Sequence, residues 1–237
     1  TSRGTLDFFE EKPAGRGVKG HISCLELDQQ GEPVVGSKRI VLSECFHLSY
    51  PFVFFYREQY WMIPEAAASR GVHLYRSKQF PDDWILEKTI LEDVQIYDAT
   101  LIEWKETWYL FGSQKNSIHT SPHTSLCIYY TDDPLAGEWK AHPMNPIYQD
   151  VRVSRPAGSF FTYNGKLIRP AQNCAPVYGY GIQFFEVEEL TPLLYRERLI
   201  HSIEPNWDPS IRAVHTYNQT TGSYLLDAQV RLPFYKL

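Results

Sequence analysis

Four hairpin-like segments recur along this chain, and they limit what it can fold into. Each has a polar or proline-containing start, an apolar strand, a polar turn and a second apolar strand. They are "HLSYPFVFFYREQYWMIPE" (47–65), "YDATLIEWKETWYLFGS" (97–113), "SRPAGSFFTYNGKLIRPA" (154–171) and "VHTYNQTTGSYLLDA" (214–228). They recur at intervals of about 50 to 60 residues, which is typical of propeller blades with four strands each. Helical periodicity is nearly absent, so the sequence predicts an all-β fold.

The stretches between the hairpins each hold two more apolar runs separated by a loop. They lie at 71–91, 126–147 and 181–203, and we expect them to be the third and fourth strands of each blade. Three further runs at 5–12, 20–27 and 39–44 resemble the later strands of one more unit, whose innermost strand is not found. The sequence therefore predicts one domain over residues 1–237. It would be a five-bladed β-propeller with an incomplete first blade and a short last one.

Composition excludes several classes of function. The net charge is -5 and no basic run is present, which argues against a nucleic-acid surface. No apolar stretch approaches the roughly 20 residues that span a bilayer, so we expect a soluble chain without a membrane span. Cys24, Cys45, Cys127 and Cys174 lack metal-site spacing and are expected to pack as small hydrophobes. No metal or cofactor is predicted, and nothing in the sequence indicates a cellular compartment.

Polar side chains stand at equivalent positions of the repeat, where the inner strands of a propeller would bring them to one channel mouth. A pocket of this kind would suit a polyhydroxylated ligand, and the 15% share of aromatic residues would supply faces for sugar rings. The predicted catalytic pair is Asp98 and Glu65. The predicted substrate-binding residues are His47, Tyr50, Arg155, Arg169, Gln172 and His215.

Several of these residues have a purely structural alternative. Asp98 could cap a turn, and Glu65 could be a solvated strand end. His215 could be a hydrogen-bonded core histidine, and Arg155 could pair with a surface carboxylate. The loop "SPHT" (121–124) is a weaker candidate for the border of the pocket.

An ordered set of short motifs resembles two related groups of proteins. The Asp98-bearing strand and "DPLAGEW" resemble the five-bladed propellers of glycoside hydrolase family 43. A closer resemblance is to the N-terminal propeller domain of glucosamine inositolphosphorylceramide transferases. Its features are "HLSYP", "MIPE", "FPDDW", "DATL", "HPMNPI", "RPAG", "RPAQNC" followed by "YG", and "HTYN", which stand here in order.

The resemblance implies a carbohydrate-related function, without deciding whether the chain is an enzyme. The hydrolases use a base Asp, a tuning Asp and an acid Glu, and the base position falls on the inner strand that is not found. Asp98 fits a second acidic position, and Glu65 is the other candidate.

Three functions follow from these residues. The first is a domain that binds a glycan or sugar-containing small molecule in polysaccharide or glycolipid biosynthesis, with transfer catalysed by a transferase domain or partner protein. The alternatives are a glycoside hydrolase that uses Asp98 and Glu65, and a protein-interaction propeller.

Overall fold

The computed structural model describes residues 5–220 and 223–231, and they are built almost entirely from antiparallel strands. One single-turn 3-10 helix, Ala67–Ser69, is the only helix in this described part of the chain. No helix there is long or apolar enough to cross a membrane. The chain divides into two compact units, residues 1–99 and 100–237.

The first unit contains two antiparallel sheets. Its strands are β1 (Thr5–Glu11), β2 (His21–Leu27), β3 (Arg39–Leu42), β4 (Ser49–Tyr56), β5 (Gln59–Glu65), β6 (Gly71–Gln79) and β7 (Asp82–Glu92). One sheet has the order β1-β2-β3 and the other the order β4-β5-β6-β7. Ile22, Leu48, Met62 and Tyr75 form a buried apolar core in this unit, and Phe8 packs against it.

The second unit contains two five-stranded sheets and two shorter strand pairs. Its strands are β8 (Ile96–Trp104), which begins before the division, β9 (Thr107–Gln114), β10 (Ser125–Thr131), β11 (Lys140–Ala141), β12 (Tyr148–Gln149), β13 (Arg155–Pro156), β14 (Phe161–Tyr163), β15 (Lys166–Asn173), β16 (Gly181–Leu190), β17 (Tyr195–Ile203), β18 (Ile211–Ala213), β19 (Tyr217–Thr220), β20 (Ser223–Leu226) and β21 (Gln229–Val230). The sheet orders are β11-β10-β9-β8 with β12 beside β10, and β13-β15-β16-β17 with β14 beside β15.

The predicted hairpins are confirmed by these strand pairings. β4 pairs with β5 and β14 with β15, each across a short polar turn, and β19 pairs with β20. In the β14–β15 hairpin, Asn164 and Gly165 both have positive φ, as a two-residue hairpin turn of type I′ requires. Asn and Gly are the residues that adopt this conformation at least cost, which is why the pair could be recognised from the sequence.

The predicted number of five blades is wrong for the described residues, which form four blade-like sheets. After Ile203 the chain supplies only the two-stranded pairs β18–β21 and β19–β20. These strands are two to four residues long, and in the described part of the chain the two pairs form separate sheets, so they do not make a further four-stranded blade. Part of the predicted last unit, 221–222 and 232–237, lies outside the described residues.

Apolar side chains fill the spaces within the second unit. Phe111, Leu126 and Ile128 form one buried cluster, against which Phe160 packs. Ala157, Ile168, Ile182 and Val214 form another, against which Phe161 packs. The two neighbouring phenylalanines therefore enter different clusters, because successive side chains of an extended segment point in opposite directions. Cys24 and Cys127 are buried as expected, whereas Cys45 is exposed.

Candidate functional site

In the first unit, three predicted site residues lie at the same end of the β4–β5 hairpin. Ser49 at the start of β4 is opposite Glu65 at the end of β5, so Tyr50 and Glu65 are close along the ladder. His47 lies two residues before β4. Its Nδ1 accepts a 2.8 Å hydrogen bond from the Gly20 amide, and its Nε2 lies 3.4 Å from Glu10 Oε1. His47 is therefore held by β1 and by the segment that joins β1 to β2.

Two predicted site residues have an unusual backbone conformation. Tyr50 has φ 42°, next to a bulge in the β4–β5 ladder, and Asp98 has φ 54° near the start of β8. Positive φ is uncommon outside glycine, and for a bulky residue such as Tyr it is an outlier. Asp98 is also only 2% exposed. Strained backbone of this kind concentrates at functional sites, so Tyr50 and Asp98 stay candidates for the site.

In the second unit, strand pairing brings Arg155 and Gln172 together. They are direct partners in the β13–β15 ladder, and both are buried. Gln172 Nε2 donates a 2.9 Å hydrogen bond to the Pro156 carbonyl. Arg155 Nη1 lies 2.9 Å from His123 Nδ1, and its guanidinium carbon is 5.0 Å from the centre of the Tyr178 ring. Arg155 is thus fixed on two sides by aromatic rings.

The hydrogen bond to Arg155 determines the tautomer of His123. A guanidinium can only donate, so Nδ1 of His123 must accept. The imidazole is then neutral in this arrangement and carries its proton on Nε2. The His123 and Tyr178 ring centres lie 5.0 Å apart, which joins these two rings and Arg155 in one cluster.

His215 extends this cluster through a second contact with Tyr178. The two ring centres lie 5.5 Å apart in an edge-to-face arrangement. His215 Nδ1 pairs with Asp227 Oδ2, and the backbone amides of His215 and Thr216 donate to Asp227 Oδ1 at 2.9 and 2.8 Å. Burial raises the pKa of Asp227, but the contacts with His215 and Thr216 outweigh it and hold the pKa below its usual value. We call His123, Arg155, Tyr178 and His215 the Arg155 cluster.

Arg169 occupies a different place from the one expected. It is 1% exposed and forms two hydrogen bonds with Glu197, from Nε at 2.8 Å and from Nη2 at 2.6 Å. Tyr195 also donates its hydroxyl to Glu197. Burial alone lowers the pKa of Arg169, but the attraction of Glu197 outweighs it and the pKa lies above its ordinary value. Arg169 therefore holds β15 to β17, and we leave it out of the proposed binding residues.

Sequence reasoning assigned no role to Tyr178 or Asp227 and gave His123 little weight. His123 belongs to the "SPHT" loop, and Tyr178 is the tyrosine of the "YG" that follows "RPAQNC". Asp227 closes the fourth hairpin segment. The motifs thus contained these residues, but only the folded chain shows which ring contacts which. Among the described residues, no three His, Cys, Asp or Glu side chains cluster in a way that could hold a metal ion.

Residues 4–229 match the family profile of the glucosamine inositolphosphorylceramide transferase 1 N-terminal domain. The chain belongs to this family. It is similar to glucosamine inositolphosphorylceramide transferase 1 of Oryza sativa subsp. japonica, with 37% identity over 194 residues, which are 80% of this chain and 25% of the relative. The Arabidopsis thaliana protein of the same name is 35% identical over 198 residues, again covering 25% of its length. The chain spans about a quarter of these curated relatives.

Solved structures identify the fold as an all-β propeller. An α-L-arabinofuranosidase of Clostridium thermocellum superposes with a TM-score of 0.65 at 10% identity, over 95% of this chain and 78% of that one. An exo-β-1,3-galactanase of Phanerochaete chrysosporium superposes with a TM-score of 0.58 at 12% identity, over 92% and 52%. These neighbours are five-bladed, whereas residues 5–220 and 223–231 of this chain form four blade-like sheets. At such identities the likeness establishes the fold alone.

Proposed function

We propose that this domain binds the sugar-containing part of a glycan or glycolipid substrate, while glycosyl transfer is catalysed elsewhere in a longer protein or by a partner. The family name supports a glycolipid of the inositolphosphorylceramide type as the substrate. The observation that carries the proposal is the Arg155 cluster, in which a buried arginine is held between His123 and Tyr178 and beside Gln172. Fixed donors beside aromatic rings are the groups that saccharide recognition requires.

Each member of the cluster has a stated part in the proposal. Arg155 supplies donors for sugar hydroxyl or acidic oxygens, and His123 and Tyr178 keep its guanidinium in one orientation. A donor whose position is already determined loses little conformational entropy on binding. His215, held by Asp227, supplies a further ring beside Tyr178. His47, Tyr50, Glu65 and Asp98 of the first unit remain proposed contacts for the same class of ligand.

The proposal is tested by replacing Arg155 with methionine, which keeps an unbranched apolar stem and removes the guanidinium donors. We expect Arg155→Met to weaken binding of soluble head-group probes, methyl glucosaminide and myo-inositol 1-phosphate, by at least about tenfold in calorimetric titration. Loss of hydrogen bonds from a charged group accounts for a change of this size. Arg152→Met is the matched control, because Arg152 is exposed and forms a surface ion pair with Asp150. Unchanged binding in Arg155→Met, or an equal loss in Arg152→Met, would contradict the proposal.

Hydrolysis is the second candidate function, and the burial and positive φ of Asp98 favour it. In that case Asp98 and the buried Glu65 act as the acid and base that glycoside cleavage needs. Release of nitrophenol from 4-nitrophenyl glycosides is then expected to fall by more than about a hundredfold in Asp98→Asn. Full rates in both Asp98→Asn and Glu65→Gln would exclude this function, as would the absence of turnover on every glycoside.

A further inference from the structure

A groove of about 440 Å³ lies on the second unit, away from the Arg155 cluster. It is lined by Thr107, Tyr130, Thr131, Asp132, Gly137, Glu138, Lys140 and Pro192. Strand β10 (Ser125–Thr131) runs from beside His123 to this groove, a length of roughly 20 Å. The groove and the cluster therefore lie at opposite ends of one strand.

The groove combines one aromatic ring with several exposed polar groups. Tyr130 is half-buried, and its ring packs near those of Tyr109 and His142, with centres 6.5 and 6.4 Å away. Asp132, Glu138 and Lys140 are exposed, and no ion pair involves them among residues 5–220 and 223–231. The Thr131 hydroxyl donates a long, 3.4 Å hydrogen bond to Asp132 Oδ1, but none of the three charges is neutralised by an opposite charge in the described part of the chain, so they remain available to a ligand.

The wall of the groove is already ordered. The side chain of Asp133 accepts hydrogen bonds from the amides of Leu135 at 2.8 Å and Ala136 at 3.2 Å. Gly137 donates its amide to the Asp133 carbonyl at 2.9 Å. A Cβ at Gly137 would lie 2.1 Å from Thr131 Oγ1 and 2.6 Å from Asp132 Oδ1, so only glycine lets the loop approach these groups. A binding surface ordered in advance spends little entropy on association.

The composition of the groove selects a class of ligand. Two carboxylates outnumber one ammonium group, which disfavours phosphates and acidic sugars. Carboxylates accept hydrogen bonds from sugar hydroxyls, the ammonium and threonine groups donate, and a tyrosine face covers the C–H side of a pyranose. The volume lies in the range of small-ligand sites and accommodates a monosaccharide. We propose that this groove is a second saccharide site, for neutral pyranoses, independent of the Arg155 cluster.

The test uses the full chain, labelled with ¹⁵N, and a panel of methyl glycosides of glucose, galactose, mannose and xylose. We expect at least one sugar to shift amide signals of residues 131–140 with millimolar affinity. Asp132→Asn combined with Glu138→Gln is expected to weaken that binding by at least about tenfold, since charged acceptors contribute most to such hydrogen bonds. Glu92→Gln combined with Glu204→Gln removes the same charge from exposed positions elsewhere and should leave binding within about twofold.

Three results would overturn the second site, and all are distinct from a failure of the Arg155 proposal. The first is the absence of amide shifts in 131–140 with every sugar of the panel. The second is equal binding by the Asp132→Asn, Glu138→Gln variant. The third is loss of these shifts in Arg155→Met, because an independent groove does not need that arginine. Shifts that persist in Arg155→Met while head-group binding disappears support two separate sites.

Discussion

Replacing Arg169 with methionine is expected to lower the free energy of unfolding by about 3 to 5 kcal/mol, because it leaves Glu197 buried without its counter-ion. The side chains of Arg169 and Glu197 are 1% and 0% exposed, so water cannot compensate for the lost partner. Urea unfolding followed by tryptophan fluorescence measures the change.

Two further variants separate the charge effect from packing. Arg169→Met combined with Glu197→Gln removes both charges and should regain at least about half of the loss. Arg196→Met removes an arginine of β17, the strand that carries Glu197. Arg196 is 67% exposed and pairs with Glu188, so this variant should lose no more than about 0.5 kcal/mol of stability. Equal losses of stability in Arg169→Met and Arg196→Met would contradict the inference that the buried ion pair holds β15 to β17.

The second large effect is expected at Gly158, the glycine of "RPAG". It has φ 125°, and a Cβ there would lie 2.0 Å from the carbonyl oxygen of Tyr217. The obstacle is backbone, which cannot rotate away as a side chain can. Gly158→Ala should therefore lower the free energy of unfolding by about 3 kcal/mol or more, because it strains the backbone and displaces β19. The midpoint of urea unfolding provides the measurement.

Gly165 is the matched control for that substitution. It also has positive φ, at 75°, but no atom lies within 4 Å of the position that its Cβ would occupy. Gly165→Ala should lower the free energy of unfolding by only about 1 kcal/mol, the cost of a positive φ for alanine. Equal losses in the two variants would show that the contact with Tyr217 does not matter for stability.

The hairpins could be predicted because their signals are local. Alternating apolar residues and a turn such as Asn164-Gly165 define a strand pair within about 15 residues. The paired strands β4–β5 and β14–β15 accordingly appear where the sequence indicated them. The number of blades depends instead on how many strands join each sheet. The prediction of five blades was wrong because the described strands after Ile203 pair only two by two.

The candidate site shows the limit of sequence reasoning most clearly at Arg169 and Gln172. Both close the same hairpin, and we expected both to face one pocket. They are three positions apart on β15, however, and side chains of a strand alternate between its two faces. Gln172 lies opposite Arg155 in the ladder, whereas Arg169 points to the other side and meets Glu197, 28 residues further along the chain.

The amino-acid sequence by itself determined the strands, the turns and the family, because these depend on periodicity and on motifs in a given order. Only the tertiary structure decided which polar groups form the Arg155 cluster and which form a buried ion pair. His123, Arg155, Tyr178 and His215 come from separate segments, and their contacts arise when the sheets of the second unit pack. Such long-range contacts leave no local pattern in the sequence from which they could be predicted.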